Sequence, residues 1–191
     1  CNPDSSNYTL AQNSPCVGTG ENGANMGAFG VGCGIINQTF HVATTGSDTT
    51  GDGSEANPFA TIQKGIDSSS DGDSIMIADG VYSPSTNGEI FPIQLKSNIT
   101  LVGQDKDNTI LNAEGSTDNV GRVISIYDSY NINILNITMT GGYAGLPHSE
   151  KKGGGIALFS SNNITISDVI ISNNGARYGG GGVFMESSEA I

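Results

Sequence analysis

Three short segments decide the fold of this chain: 98-NITLV-102, 131-NINIL-135 and 163-NITIS-167. Their first residues are spaced by 33 and 32 positions, and each segment alternates apolar and polar side chains as a half-buried strand does. Repetition at such a period indicates a solenoid whose coils stack about 4.8 Å apart. The sequence therefore predicts an all-β chain wound as a parallel β-helix.

The repeat extends on both sides of these segments. An offset of 32 aligns two sets of apolar residues: Ile132, Ile134, Ile137 and Met139 with Ile164, Ile166, Val169 and Ile171. An offset of 27 aligns residues 153–161, GGGIALFSS, with residues 180–188, GGGVFMESS. We expect two or three short strands in each coil, with columns of apolar side chains inside. Asn98, Asn131 and Asn163 should stack at one corner, because asparagine accepts a left-handed backbone and can bond to its neighbours.

Composition limits the classes of function. Of 191 residues, 19 are acidic and 7 are basic, which gives a net charge of −12. Such a field repels nucleic acid and anionic membrane surfaces, and it tolerates cations such as Ca²⁺. No apolar run is long enough to cross a bilayer, so we expect no membrane insertion.

The first 36 residues differ from the rest and hold all three cysteines, Cys1, Cys16 and Cys33. Neither histidine lies at a zinc-ligand spacing from them, so a disulfide is the better interpretation. The remaining cysteine is then free, lipidated or paired with something missing. We divide the chain into segment 1–36 and a β-helix over 37–191.

A helix is predicted near residues 58–68. Asn57 is a suitable N-cap and Pro58 a suitable first helical residue. Phe59, Ile62 and Ile66 fall on one face of that helix.

Residues 42–82, VATTGSDTTGDGSEANPFATIQKGIDSSSDGDSIMIADGVY, resemble the opening of secreted bacterial right-handed parallel β-helix proteins of the pectate-lyase-like superfamily. The resemblance covers residues 40–191. It implies a right-handed solenoid whose N-terminal end is plugged by the amphipathic helix, and an extracellular location. It is weak for activity, since the same opening occurs in polysaccharide lyases and in large non-enzymatic surface proteins.

The N-terminal stretches 8-YTLAQNSPC-16 and 23-GANMGAFGVGC-33 resemble the segment that closes such a β-helix after its last coil. A closing segment ahead of an opening segment suggests a chain cut from a longer array, or a subunit that closes its neighbour.

One loop matches part of a calcium-binding pattern. Asp48, Thr50 and Asp52 supply oxygen atoms at alternate positions, and Gly53 permits a sharp bend. The twelfth position is Phe59 and not glutamate, so Glu55 would have to substitute as a ligand. The alternative interpretation is a polar turn that orders the start of the helix.

Lyases of the superfamily need a basic residue that abstracts a proton and usually Ca²⁺. Lys151 and Lys152 share a loop with His148, and Arg177 lies in the equivalent connection one coil later. The alternative is that these are solvated loop residues.

Surface chemistry adds two further candidates. Five N-x-[ST] sequons, at Asn7, Asn37, Asn98, Asn136 and Asn163, are candidates for glycosylation. The tyrosines that could form platforms for sugar rings are Tyr127, Tyr130, Tyr143 and Tyr178.

We expect a secreted, non-enzymatic structural or adhesive module that associates head to tail, with no required cofactor and with Ca²⁺ as an option. Val183, Met185 and Ile191 would form its assembly end, Ile191 being the first inward residue of an unfinished strand. The alternative is a calcium-dependent polysaccharide lyase, or a carbohydrate-binding fragment of one.

Overall fold

The computed structural model describes residues 9–10, 29–31, 37–145 and 152–191. The chain forms two compact units, Cys1–Asn37 and Gln38–Ile191. In the first unit, β1 (Thr9–Leu10) pairs in parallel with β2 (Phe29–Val31). The predicted closing segment is otherwise outside the described residues, as are Cys1, Cys16, Cys33 and Asn7.

The second unit is a right-handed parallel β-helix of about four coils, as the sequence predicts. Each coil passes through three sheets. The first sheet contains β3 (Thr39–Val42), β4 (Ser74–Ile77), β7 (Thr100–Gly103), β10 (Tyr130–Leu135) and β14 (Asn162–Ser167). The second contains β5 (Gly80–Tyr82), β8 (Thr109–Asn112), β11 (Thr138–Thr140) and β15 (Ile170–Ile171). The third contains β6 (Ile93–Leu95), β9 (Ile124–Tyr127), β13 (Ile156–Phe159) and β17 (Val183–Glu186).

Two short strands, β12 (Tyr143–Ala144) and β16 (Gly175–Ala176), pair in the connections between the second and third sheets. One helix, α1 (Ile62–Ser68), covers the N-terminal end of the solenoid and contacts β3, β4 and β6.

The strand pairing confirms the repeats inferred from the sequence. Ile132 pairs with Ile164 and Met139 with Ile171, both at the predicted offset of 32. Ile156 pairs with Val183 at the offset of 27. Each pair lies on neighbouring parallel strands, so each offset measures the length of one coil at that point of the chain.

The interior is a set of apolar columns that run along the solenoid. In the first sheet, Ile75, Leu101 and Ile134 are in register and fully buried. The third sheet adds Ile124 and Ile126, which are also fully buried. Burial of one such side chain contributes about 1.5–3 kcal/mol, so these columns are the main source of stability.

The predicted corner asparagines form a hydrogen-bonded ladder. The Asn163 side-chain amide donates to Asn131 Oδ1 over 2.5 Å, and the Asn131 amide donates to Asn98 Oδ1 over 3.0 Å. Asn98 in turn donates to the carboxylate of Asp71 over 2.8 Å. All three asparagines have φ between 53° and 61°, the left-handed region that asparagine tolerates.

A ladder of serine side chains, which the sequence did not indicate, lies beside the asparagine ladder. At this corner each serine Oγ accepts a hydrogen bond from a backbone N–H group. Ser97 accepts from Tyr130, Ser161 accepts from Ser129, and Ser188 accepts from Ser161. The hydroxyls of Ser129 and Ser161 also donate to the carbonyl two residues earlier. The ladder therefore supplies partners for the backbone where the chain turns from the third sheet to the first.

The predicted helix start is wrong. Helix α1 begins at Ile62, after Thr61, whose Oγ1 accepts from the backbone N–H of Lys64. Asn57 is not its N-cap, because the following residues pair with β3: Phe59 bridges to Val42 and donates its N–H to the His41 carbonyl over 3.0 Å. This pairing covers the free edge of β3, where unpaired backbone groups would otherwise be exposed.

The predicted buried face of this segment is nevertheless confirmed: Phe59, Ile62 and Ile66 are all buried. The solenoid is therefore plugged by Ile62 and Ile66 of the helix together with Phe59, which precedes the helix and pairs with β3.

The helix N-terminus is held by two carboxylates that lie far apart in sequence. Asp48 accepts from the backbone N–H groups of Ala60 and Thr61 at 2.8 and 3.0 Å. Glu89 accepts from the N–H groups of Ile62 and Gln63 at 2.6 and 3.3 Å. Glu89 is buried, and this burial raises the pKa of its carboxyl to about 7.

The predicted inward position of Ile191 is also wrong. Ala190 pairs with Ile164, and Ile191 is 86% exposed. At the strict offset of 27, Ala190 would occupy the left-handed corner of Asn163, where alanine is strained by about 1–2 kcal/mol. The chain avoids that corner, because Ala190 instead packs against the core. The register therefore shifts by one residue.

The buried carboxyl of Glu89 should make stability depend on pH. The folded state holds the proton up to about pH 7, whereas the unfolded chain releases it near pH 4.5. The stabilisation is therefore fully present below pH 4.5 and is lost as pH rises to 7. Relative to Glu89→Gln, the wild-type free energy of unfolding should fall by about 3 kcal/mol over that interval.

Urea unfolding of both proteins from pH 4 to 8 measures this difference. Glu55→Gln, which removes an exposed carboxylate, is the matched control. Parallel pH profiles for the wild type and Glu89→Gln would contradict the assignment.

The asparagine ladder should be measurable in the same way. Asn131→Ala removes two side-chain hydrogen bonds and places a Cβ-bearing residue without local bonding at φ 56°. We expect a loss of about 2 kcal/mol in unfolding free energy. Asn131→Gly removes the same bonds without backbone strain, so it should lose less. Equal losses would show that the backbone conformation contributes nothing.

Candidate functional site

An aromatic stack lies on the outer face of the third sheet. Tyr127 and Phe159 are in register on β9 and β13, and their rings stack with centroids 4.8 Å apart and an interplanar angle of 7°. Phe184 of β17 follows at 5.7 Å from Phe159, tilted by 54°. Alternate strand residues point outward, so the 32-residue repeat brings Tyr127 and Phe159 together. Phe184 is in register with Ala157, two residues before Phe159 on β13. We call Tyr127, Phe159 and Phe184 the aromatic face.

Two basic side chains border the aromatic face. The guanidinium carbon of Arg122 lies 5.7 Å from the ring centroid of Phe159. The ammonium nitrogen of Lys152 lies 4.6 Å from the ring centroid of Phe184. Both distances are within the range of cation–π attraction. The face is therefore electrostatically positive at two points along the solenoid axis.

Arg122 is buried, and its contacts give it a positioning role. Its Nε donates to the carbonyl of Gly153 over 2.8 Å, and its Nη2 donates to the carbonyl of Lys152 over 2.7 Å. Its Nη1 reaches Ser125 Oγ at 3.1 Å and the Tyr127 hydroxyl at 3.4 Å. The planar guanidinium thereby ties the segment that precedes β13 to strand β9.

The structure places Lys152 beside the connection that contains Arg177, another of the basic residues proposed for a lyase. Lys152 packs its side chain against Gly179, where an added Cβ would lie 2.9 Å from Lys152 Cγ. Gly179 belongs to the connection that contains Arg177, whose guanidinium carbon lies 5.9 Å from the Tyr178 ring. Lys152 and the Arg177 connection are thus neighbours beside the aromatic face. Lys151 and His148 lie outside the described residues.

The charge of this region departs from that of the whole chain. Arg122, Lys152 and Arg177 are three of only seven basic residues, whereas the chain carries 19 acidic ones. One acidic residue lies close to these rings: Glu186 is exposed on β17 and is in register with Phe159. Two of these basic side chains, Arg122 and Lys152, therefore lie beside the aromatic rings.

This arrangement is suited to binding a carboxylate-bearing ligand. Stacked rings one coil apart cover each other's faces and leave their edges toward solvent, and Tyr127 is 40% exposed. Ammonium and guanidinium groups form charge-assisted hydrogen bonds to carboxylates. In the part of the chain that the structure describes, no three His, Cys, Asp or Glu side chains converge as metal ligands.

The candidate calcium loop uses its oxygen atoms internally. Asp48 caps the start of α1, and Asp52 Oδ1 accepts the backbone N–H of Ser54 over 2.9 Å. Hydrogen bonds from Ser54 lower the pKa of Asp52. The Thr50 carbonyl accepts from the Asn57 side chain, and Glu55 is exposed. These contacts support the interpretation as an ordered turn, and calcium binding stays a prediction.

The sequons differ in the availability of their amides. The amide nitrogens of Asn98 and Asn163 are engaged in the asparagine ladder. Asn37 is exposed, and Asn136 lies at a left-handed corner with φ 55°. Glycosylation stays a prediction, and Asn37 is an exposed sequon that lies outside the asparagine ladder.

The predicted tyrosine platforms do not form one surface. Tyr127 belongs to the aromatic face, whereas Tyr130 begins β10, and Tyr143 lies in the short strand β12. Tyr178 is 57% exposed in the connection after β16.

Three residues of this site were not predicted from the sequence: Arg122, Phe159 and Phe184. Tyr127 and Phe159 are separated by 32 residues, the offset that had already aligned the inner columns. The same offset, applied to outward positions, indicates the Tyr127–Phe159 pair, but it does not indicate Phe184, which is in register with Ala157. Arg122 has no counterpart in the repeat, so no periodic signal marks it.

Comparison with known proteins identifies a family. Residues 44–190 match the model of a family described as "Protein of unknown function (DUF1565)". No curated protein sequence matches the chain.

Two solved structures are similar to this chain. One is a pectin methylesterase mutant in complex with a hexasaccharide, with a TM-score of 0.49 and 17% identity over 79% of this chain. The other is a rhamnogalacturonan lyase, with a TM-score of 0.48 and 16% identity over 73%. The chain spans 48% of the first protein and 38% of the second.

Within the described residues, no helix has the length and apolar character needed to cross a membrane.

Arg122 should stabilise the fold through its carbonyl contacts. Arg122→Met leaves the carbonyls of Lys152 and Gly153 without this donor, and we expect a loss of about 3 kcal/mol in unfolding free energy. Arg177→Met, at an exposed arginine, is the matched control and should lose below about 1 kcal/mol. Urea denaturation of the two variants provides the measurement, and equal losses would contradict the positioning role.

Proposed function

The chain belongs to the DUF1565 family, and we propose that it is a non-catalytic, extracellular adhesive module that binds an acidic polysaccharide at the aromatic face. The observation that supports this most directly is the position of Arg122 and Lys152 beside the rings of the aromatic face in a chain of net charge −12. Arg177 lies in the connection that Lys152 packs against. Basic groups beside these rings run against the negative potential of the whole chain. An acidic ligand that binds there accounts for their position.

A uronate polymer fits this chemistry in two respects. Its carboxylates suit the ammonium group of Lys152 and the guanidinium group of Arg177. Its apolar C–H groups suit the aromatic edges between these cations. Because successive coils present these groups along the solenoid axis, an extended chain contacts several coils at once.

Binding is favoured over lyase chemistry by the surroundings of the basic residues. Arg122 is committed to backbone carbonyls, which makes it a positioning residue. In the described part of the chain, no carboxylate cluster accompanies Lys152 that could hold the calcium such lyases use. A calcium-dependent lyase is the second candidate, supported by the proximity of Lys152 to the Arg177 connection.

Head-to-tail association stays a prediction. Of the proposed assembly residues, Val183 and Met185 are 43% and 40% exposed on β17. The adhesive function proposed here requires no self-assembly, because one molecule carries the whole aromatic face.

Titration calorimetry with a galacturonate hexamer tests the function. We expect binding that weakens with added salt, and a loss of roughly tenfold in affinity for Lys152→Ala. Lys106→Ala removes the same charge from an exposed site elsewhere and should change affinity less than about twofold.

Absorbance for unsaturated uronate, followed with calcium and with a chelator, separates the two candidates. Calcium-dependent product formation would show that the chain is a lyase and would contradict the proposal of a non-catalytic binding module. Failure to bind the hexamer, or equal losses in both lysine variants, would reject the aromatic face as the site.

A further inference from the structure

A cavity of about 310 Å³ lies on the outer side of the first sheet, away from the aromatic face. Its lining includes His41, Glu55, Pro58, Met76, Ala78 and Gln104. His41 and Met76 are in register on β3 and β4, and the loop that covers the edge of β3 contributes Glu55 and Pro58. The volume and the mainly apolar lining with a few polar groups are typical of ligand sites.

A second cavity, of about 210 Å³, shares one lining residue with the first. Gln104 lines both, and Asp105, Lys106, Asn136 and Asp168 line the second. These residues follow β7, β10 and β14, the next three strands of the same sheet. We call the two cavities together the corner groove. It crosses five neighbouring strands, or about 19 Å at the spacing of strands in a sheet.

The two ends of the corner groove differ in chemistry. The end near Met76, Ala78 and Pro58 is mainly apolar, although Glu55 and His41 also line it. The other end carries Asp105 and Asp168. Lys106 lies 3.4 Å from Asp107, which balances its charge. The groove is therefore negative along its polar part, and the chain's net charge of −12 reinforces that potential.

We propose that the corner groove binds an extended peptide segment in which an apolar side chain is followed by basic side chains. The apolar end accepts the first side chain, and the carboxylates of Asp105 and Asp168 pair with the basic ones. Gln104 and Asn136 lie between, and each amide both donates and accepts, as recognition of a peptide backbone requires. A length of about 19 Å accommodates roughly six extended residues.

This site is independent of the polysaccharide-binding function. The corner groove follows the first sheet, and the aromatic face lies on the third. The two surfaces also have opposite local charge, so they select ligands of opposite sign. A module with both surfaces can hold a basic peptide and an acidic polysaccharide at the same time.

Fluorescence polarisation tests the corner groove on the whole chain. The probe is a labelled hexapeptide with leucine at position 1, lysine at positions 3 and 5, and glycine elsewhere. A matched peptide carries glutamate in place of both lysines. Asp168→Asn is the informative variant, since asparagine accepts the φ of 52° found at this position. Asp118→Asn, in an exposed loop after β8, makes the same change in net charge and is the control. Ala78→Leu is the variant that fills the apolar end.

We expect Asp168→Asn to weaken binding of the lysine peptide roughly tenfold and Asp118→Asn less than about twofold. Ala78→Leu should also weaken it, and the glutamate peptide should not bind. Equal effects of the two aspartate variants would overturn the proposal, because they would indicate attraction to net charge alone. Absence of binding, or stronger binding of a deacetylated chitin hexamer than of the peptide, would overturn it as well. The variant Lys152→Ala should lose galacturonate binding and keep its affinity for the lysine peptide. That result shows that the aromatic face and the corner groove are separate sites.

Discussion

The parallel hydrogen-bonded register between successive coils is the constraint on which the rest of this structure depends. Once Ile132 lies over Ile164, every inward side chain of one coil stands above an inward side chain of the previous one. The asparagine and serine ladders stabilise the same register at the corner, where the chain must turn and its backbone groups need partners. Core packing, corner conformation and the rows of outward residues all follow from that alignment.

The repeated parts of this molecule were predictable from sequence, and the unrepeated parts were not. The corner asparagines gave a correct ladder because their spacing and their backbone preference indicate the same structure. The helix start was misplaced because Asn57 and Pro58 fit a helix N-terminus locally, whereas the free edge of β3 requires Phe59 as a pairing partner. Tertiary pairing overrode local propensity there. Arg122 was missed for a related reason, since its role depends on carbonyls about 30 residues away in sequence.

The outer surfaces show how a uniform scaffold acquires local chemistry. On the third sheet, Tyr127, Phe159 and Phe184 lie beside one another, although the chain between them passes through two other sheets. At the edge of the first sheet, Gln104, Asn136 and Asp168 come together in the same manner. Neighbours in space are therefore about one coil apart in sequence. A surface of one charge can coexist with a surface of the other because the core separates them.

The difference between the 32-residue and 27-residue offsets has an architectural consequence. β10 and β14 are aligned at 32 residues, whereas β13 and β17 are aligned at 27, and both pairs keep full parallel register. The five residues are removed from the connection that leads into the third sheet, beside the aromatic face. Between these two coils the length difference is thus absorbed in one connection, while the paired strands on either side stay in register. A change in the length of that connection therefore leaves the buried columns of both coils in place.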